Sequence, residues 1–417
     1  MMSLQKEAPT PARLDARSIL AILGLGLTQI IGWGTIFTPL SILGRTIGAD
    51  LGLSREWIFG GLTIMLISGA MVAPRIGRIV DRHGGRWVMV TGSLVASLTM
   101  VAMHFATDLK SYALVWVLAG IAAPMMLNNT GLPSLVAVVG ENARRAITAL
   151  MLFSGLASTV FLPTSTYLNA LVGWRDTYLI FACLHIVVCL PIHAWVLRPR
   201  RLVPGATPAR SNLPLHGSLP PERRRTAFFL LAIWSCTEGV ITWGVNVQVI
   251  DILRDSGLSV AAAVGVWTIV GPCQAIARLG ELISGGRHSI LTTALIATLL
   301  GPVAFIVPLL LGVSLPTALT LAVLFGFSHG LFVIARNTLP LFLFGPREFG
   351  TYMGLLTLPQ NLMNAAAPIV VAAIITHVGP RGGLWFGAAS MAAGFIAMLV
   401  LSRYCRVYAR DLGDRAR

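Results

Sequence analysis

Gly77-Arg78-Ile79-Val80-Asp81-Arg82-His83-Gly84-Gly85-Arg86 is one of the few charge-dense stretches between the ends of a chain that is otherwise almost entirely apolar. Apolar runs flank it on both sides, Trp57 to Pro74 before it and Trp87 to Phe105 after it. Two long apolar helices joined by a short polar segment form a membrane hairpin. The connection carries Arg75, Arg78, Arg82 and Arg86, and so many arginines place it on the cytoplasmic face.

The remainder of the chain repeats this arrangement. Of its 417 residues 55% are hydrophobic and only 11% charged, whereas soluble domains carry about 25% charged residues. Too few polar groups remain to build a water-facing surface. The net charge of +15 does not point to nucleic acid, because the basic residues sit in short loops between apolar runs rather than on one amphipathic face. Cys183, Cys189, Cys236, Cys273 and Cys405 show no metal-ligand spacing and read as small membrane-embedded residues. The polar start, Met1 to Arg17, and the long run after it do not fit a signal peptide.

A span needs roughly 20 mostly apolar residues. That rule gives twelve: 18–43, 56–74, 87–107, 111–139, 146–172 and 177–197, then 227–250, 258–280, 288–311, 316–344, 350–377 and 383–403. They are helices, since backbone groups in lipid must be satisfied within the segment and nothing here alternates like a barrel strand. With both termini inside, 24 Lys and Arg fall on the cytoplasmic side and 6 on the other, leaving Arg336 within a span. The expected protein is an all-α, multi-pass protein of the inner membrane. A bundle over 1–197 leads to a linker at 198–226, a second bundle at 227–403 and a cytoplasmic tail at 404–417. The linker is rich in proline and arginine and reads as a mobile basic segment, or else as a docking site for a partner.

The two halves look like copies of each other. Thr28-Gln29 matches Thr237-Glu238, Trp33-Gly34 matches Trp243-Gly244, and Gly52-Leu53-Ser54 matches Gly257-Leu258-Ser259. Arg75-Ile76-Gly77 matches Arg278-Leu279-Gly280, and Leu132-Pro133 matches Leu339-Pro340, all in order at offsets of 203 to 210. Two repeated six-helix bundles imply a pseudo-two-fold axis along the membrane normal, with a binding site between them.

On these residues the chain resembles the major facilitator superfamily of secondary transporters. The opening stretch is similar to that family's loop motif Gly-x-x-x-Asp-Arg-x-Gly-x-Arg, and Gly173-Trp174-Arg175-Asp176 to its Gly-Trp-Arg start of the sixth helix. The resemblance implies that Gly77, Asp81, Arg82, Gly84 and Arg86 form a gating motif that ties the cytoplasmic ends of the bundles together. The second-half copy puts Ser284 where Asp81 should be, so a strong latch is expected mainly in the first half. The region around Ser154-Gly155-Leu156-Ala157-Ser158 lacks the Gly-Pro-rich motif of drug/proton antiporters, and the fourth span lacks their buried arginine. Gly32-Trp33-Gly34 and the general layout are loosely similar to monocarboxylate porters.

Ionisable residues inside spans are costly and mark function. Glu238 lies midway along span 7, Arg336 in the cytoplasmic half of span 10 and His329 near its middle. In the family, helices 1, 4, 7 and 10 line the cavity, which implies a polar ring of Gln29, Asn128, Asn129, Glu238, Arg336 and Asn337, with Trp33 and Trp243 as walls. Arg336 is expected to clamp an anion, since a guanidinium holds a carboxylate bidentately. Glu238, with His329, is expected to couple protons. The alternatives are that Glu238 and Arg336 simply pair, and that the amides serve as interhelical bonds.

Gly326-Phe327-Ser328-His329-Gly330 fits the nucleophile-elbow pattern, but it lies inside a span, where small residues serve helix packing. No Walker loop or complete dinucleotide fingerprint appears. The sequence therefore reads as a transporter rather than an enzyme, monomeric and without cofactor. Its expected partners are a small organic anion, protons and the bilayer, with no nucleic acid. Proton-driven efflux of amphiphilic or toxic compounds is the alternative.

Overall fold

The computed structural model describes residues 15–198, 219–284 and 289–415, and these are helical with no strand among them. Ten continuous stretches are long and apolar enough to cross a membrane, and one of them, Leu109–Val196, runs for 88 residues. As a straight helix that stretch would be about 130 Å long, more than four bilayer cores. It turns back at Gly140 (φ 60°) and Gly173 (φ 78°). Both angles lie in the left-handed region that glycine alone enters freely. The stretch therefore makes three passes, consistent with twelve in all.

The passes, numbered as spans 1 to 12, differ from the sequence reading mainly at their ends. Span 1 is Ala16–Leu51, span 2 Arg55–His83 and span 3 Gly85–His104. Span 4 is broken into Leu109–Met126 and Asn128–Val139, and span 5 begins with Ala143–Gly155 and continues to 172. Span 6 covers 174–196, and span 7 joins Pro221–Val240 to Asn246–Asp255 through a π-turn at Ile241–Val245. Span 8 is Val260–Ser284, span 9 Ile290–Leu311, span 10 Leu315–Phe344 and span 11 Phe349–Val378. Span 12, Pro380–Arg415, continues through most of the segment expected as a tail. Residues 199–218 of the expected linker lie outside the described residues.

Packing follows from the mostly apolar spans. One buried cluster around Tyr112, Trp116 and Phe181 lies within the first half, and two others, around Phe305 and Phe325 and around Trp234 and Phe344, lie within the second. A fourth joins the halves: Leu132, Ile147 and Leu150 pack with Ile334, Phe349 and Met353. Large apolar side chains also cover the outside, with Leu310, Ile369 and Val187 at 70% exposure or more. Such a surface suits lipid, not water.

The halves meet chiefly at one end. Span 2 runs against span 11, Ala143–Gly155 of span 5 against spans 8 and 10, and Asn128–Val139 of span 4 against span 11. At the opposite end Pro39–Leu51, Asn246–Asp255 and Val260–Thr268 make their main contacts within their own halves. Close approach of spans 2 and 11 depends on glycine. A Cβ on Gly77 would stand 2.0 Å from the Gly350 carbonyl oxygen, and one on Gly354 2.3 Å from that of Ala73. The molecule is thus clamped at the end bearing Gly77–Arg86 and splayed at the other.

Candidate functional site

The clamp is built on a helix start that its own sequence leaves uncapped. Span 11 begins after Glu348, whose side chain makes no capping bond. Asp81, from the other half, supplies the acceptors: Oδ1 takes the Gly350 N–H at 2.8 Å and Oδ2 the Thr351 N–H at 2.6 Å. A carboxylate there satisfies two of the four orphan donors and meets the positive end of the helix dipole. Gly84 turns the chain with φ 79°, which frees span 3 to start at Gly85. The implied roles of Arg82 and Arg86 need correction. Arg86 Nε donates to the Ala194 carbonyl at 2.9 Å, at the end of span 6 in its own half. Arg82 is exposed and makes no bond among the described residues. Asp81 alone of the three reaches across.

A second tie lies in the region where the sequence suggested that the latch had decayed. Glu281, near the end of span 8, pairs with Arg144 at the start of span 5 at 2.5 Å. Its other oxygen accepts from Thr293 of span 9 at 3.3 Å. Spans 2 and 11 correspond under the internal repeat to spans 8 and 5, so the two ties are counterparts. The contact between the halves at this end is therefore two-sided. The acid in the second half stands one residue after Gly280, not four residues after it as Asp81 does after Gly77.

Between the splayed ends lies a cavity of about 360 Å³, walled by spans 1, 2, 4, 5, 7, 8, 10 and 11. Of the residues expected there, Trp33, Asn128, Asn129, Trp243, His329, Arg336 and Asn337 line it. Gln29 does not. Span 4 breaks at Leu127, and Gln29 Nε2 donates to the Met126 carbonyl at 3.0 Å. It satisfies a backbone acceptor that the break leaves without a helical donor. Glu238 is also behind the wall, 4% exposed, with Oε1 3.2 Å from His329 Nδ1. His329 itself faces the cavity and stands 3.4 Å from the Thr242 hydroxyl. Glu238 and Arg336 are not paired.

Arg336 is 8% exposed and held by neutral groups alone. Nη2 donates to Gln360 Oε1 at 2.6 Å and Nη1 to Asn337 Oδ1 at 3.1 Å, while Nε has no partner among the described residues. Asn129 bridges the halves by donating to the Thr357 hydroxyl at 3.0 Å. Asn128 stands at the start of the second segment of span 4, with its Oδ1 unpaired. At the splayed end Trp33 stacks on Phe37 at 4.6 Å, and Phe37 reaches Trp243 across the gap at 6.3 Å. That aromatic contact is thin beside the layers of bonds at the clamped end.

Two sets of lining residues escaped the sequence reading. Thr357, Gln360, Asn361 and Asn364 of span 11 all face the cavity. Their spacing of three, one and three places them on one helical face, a signal that could have found them. Arg278 is the other. The sequence put it at the cytoplasmic end of span 8, but the helix continues to Ser284, so Arg278 is buried and lines the cavity. The histidines His185 and His193 bond Thr35 and Ser93 inside the first half and take no part in the cavity. Ser328 donates to the Ala297 carbonyl at 2.7 Å, and Gly326 and Gly330 lie against span 8, so the elbow-like motif is a packing seam.

The Major Facilitator Superfamily matches residues 22–285 as a family, more than half of the chain. The chain belongs to that superfamily. It is 26% identical over 195 residues to the multidrug transporter MdfA of Edwardsiella piscicida, covering 46% of each chain. It is 28% identical over 270 residues to monocarboxylate transporter 3 of Rattus norvegicus, covering 58% of this chain and 52% of that one. The chain thus spans about half the length of the curated relatives it matches. The crystal structure of the human organic anion transporter MFSD10 (TETRAN) superposes with a TM-score of 0.69 at 16% identity, covering 92% of this chain and 99% of that one. The superposition establishes a shared fold. The protein is a multi-pass membrane protein of a transporter superfamily.

Proposed function

We propose that the protein is a secondary active transporter of a small organic anion, working by alternating access between its two halves. The observation that carries this reading is Arg336, a buried guanidinium on the cavity wall held by two amides and no carboxylate. An uncompensated buried charge costs several kcal/mol. A carboxylate on a cargo molecule, taken bidentately, offsets that cost. Among the relatives, monocarboxylate transporter 3 is named for the same class and MdfA for multidrug transport, so they do not fix the molecule.

Glu238 and His329 form the proposed proton pair. One proton can be shared across their 3.2 Å contact, and His329 also faces the cargo space. The π-turn at Ile241–Val245 lies one helical turn beyond Glu238, at the kind of irregularity that recurs at functional sites. Efflux of cationic amphiphiles is less well supported, because no Asp or Glu lines the cavity among the described residues. The latch end is assigned to the cytoplasm of an inner-membrane protein with both termini inside, on the strength of the arginine distribution. The clamped latch with a splayed opposite end then corresponds to an outward-facing monomer.

Uptake of labelled organic anions into proteoliposomes under an imposed pH gradient tests the reading. Wild type is expected to accumulate anion. Glu238→Gln should keep anion exchange but lose the pH drive, and Arg336→Gln should lose both. Undiminished, pH-dependent uptake in both variants would sink the assignment.

A further inference from the structure

The cavity holds a second buried guanidinium besides that of Arg336. Arg278 is 8% exposed, on span 8, and lines the same space as Arg336. Nη1 donates to the Met151 carbonyl at 3.4 Å and Nη2 to Gln274 Oε1 at 3.3 Å, while Nε has no partner among the described residues. Both bonds are long and both acceptors neutral.

A short relay connects the two arginines. Arg278 holds the Met151 carbonyl, the Met151 sulfur accepts from Asn337 Nδ2 at 3.2 Å, and Asn337 Oδ1 accepts from Arg336 Nη1 at 3.1 Å. Two residues therefore separate the charges on one wall of the cavity. Glu281, three residues from Arg278 on span 8, is already engaged by Arg144, and Glu238 by His329. Neither guanidinium is paired with a carboxylate among the described residues, so each leaves a buried positive charge for a ligand to meet.

We propose that the cavity is a receptor for a small dicarboxylate, with one carboxylate on Arg336 and the second on Arg278. It rests on the anion-transport reading and sharpens it: Arg336 admits an anion, and Arg278 sets the preference for two charges over one. Each guanidinium presents a planar fork that matches one carboxylate. Trp33, Phe37 and Trp243 leave an apolar wall for the carbon skeleton that joins the charges. Gly155 is part of the same arrangement, since a Cβ there would stand 2.4 Å from Arg278 Nη1. Gly155→Ala should thus displace the guanidinium without removing its charge.

Titration calorimetry on the purified full-length protein, with succinate, glutarate, butyrate and glycerol 3-phosphate as probes, tests this. Wild type should bind succinate or glutarate at least about tenfold more tightly than butyrate. Arg278→Gln should bring the dicarboxylates down to butyrate's affinity while butyrate itself changes by less than about twofold. Gly155→Ala should reduce the preference partway, and Arg278→Lys should retain part of it, so these two serve if Arg278→Gln does not fold. No preference in wild type, or equal losses for one and two charges in Arg278→Gln, would overturn the dicarboxylate site while leaving Arg336 as an anion ligand. Tighter binding of glycerol 3-phosphate than of both dicarboxylates would overturn it in favour of a phosphate ester. Full anion binding in Arg336→Gln would instead overturn the anion-transport reading on which it rests.

Discussion

The two halves are related by an internal repeat, yet they bring different chemistry to the cavity between them. From the first half come Trp33, Phe37, Asn128, Asn129, Met151 and other neutral groups, with no ionisable side chain among the described residues. From the second come Arg278, His329 and Arg336, with Glu238 directly behind. The repeat positions make the contrast concrete. Gln29 and Glu238 correspond, but one caps a broken helix within its half and the other pairs with a histidine at the cavity wall. The two bundles are similar, but the ionisable lining residues come from the second, and the first provides a neutral wall. Movement of the wall past the charged half leaves the Glu238–His329 contact intact within one half, whereas the Arg144–Glu281 pair at the tied end must part.

Variants can break or sharpen this contrast. The largest effect is expected at Arg336. Replacing it with Gln should weaken anion binding by about 2–3 kcal/mol, on the order of a hundredfold, measured as the apparent Kd of the purified protein. A second large effect concerns motion. Gly77→Ala would place a methyl against the Gly350 carbonyl, so the clamped state should be disfavoured and turnover in proteoliposomes should fall by at least about tenfold. Asp81→Asn should slow transport less, by several-fold, with Kd unchanged. The amide keeps one oxygen for the two N–H groups of span 11. Breaking the counterpart tie with Glu281→Gln should resemble Asp81→Asn, because both act on the same end; an effect on binding alone would separate the two ties. The smallest change belongs to the neutral wall. Asn129→Ala removes a bond to Thr357 and should shift Kd by no more than about threefold. A loss matching that of Arg336→Gln would end the division into charged half and neutral wall.

Much of this was legible in the sequence because lipid imposes simple rules. Apolar runs of span length, the arginine-rich loop at Gly77–Arg86 and the ordered repeats were enough to expect two bundles, and Asp81 could be singled out within the loop. Arg336 and Glu238 were visible as charges inside spans. Their relation was not, because whether two charges pair depends on helix rotation, and here His329 intervenes at Glu238. Gln29 was misread for a similar reason. The break at Leu127, which creates its acceptor, follows from backbone angles (φ −93°, ψ −156°) that the Asn128-Asn129 pair does not announce. Arg278 was lost through a span drawn to end at 280, when the helix runs on to Ser284. The Arg144–Glu281 tie joins residues 137 apart in sequence and carries no motif.

Above all, the second half is proposed to hold an organic anion in the cavity. The most direct measurement is a thermal-stability screen of purified wild type and Arg336→Gln against matched panels of organic anions and organic cations. Wild type should be stabilised by a subset of the anions, and Arg336→Gln, folded with a similar melting temperature in the absence of ligand, should not respond to them. Stabilisation by cations alone, or an anion response that survives unchanged in Arg336→Gln, would contradict the account.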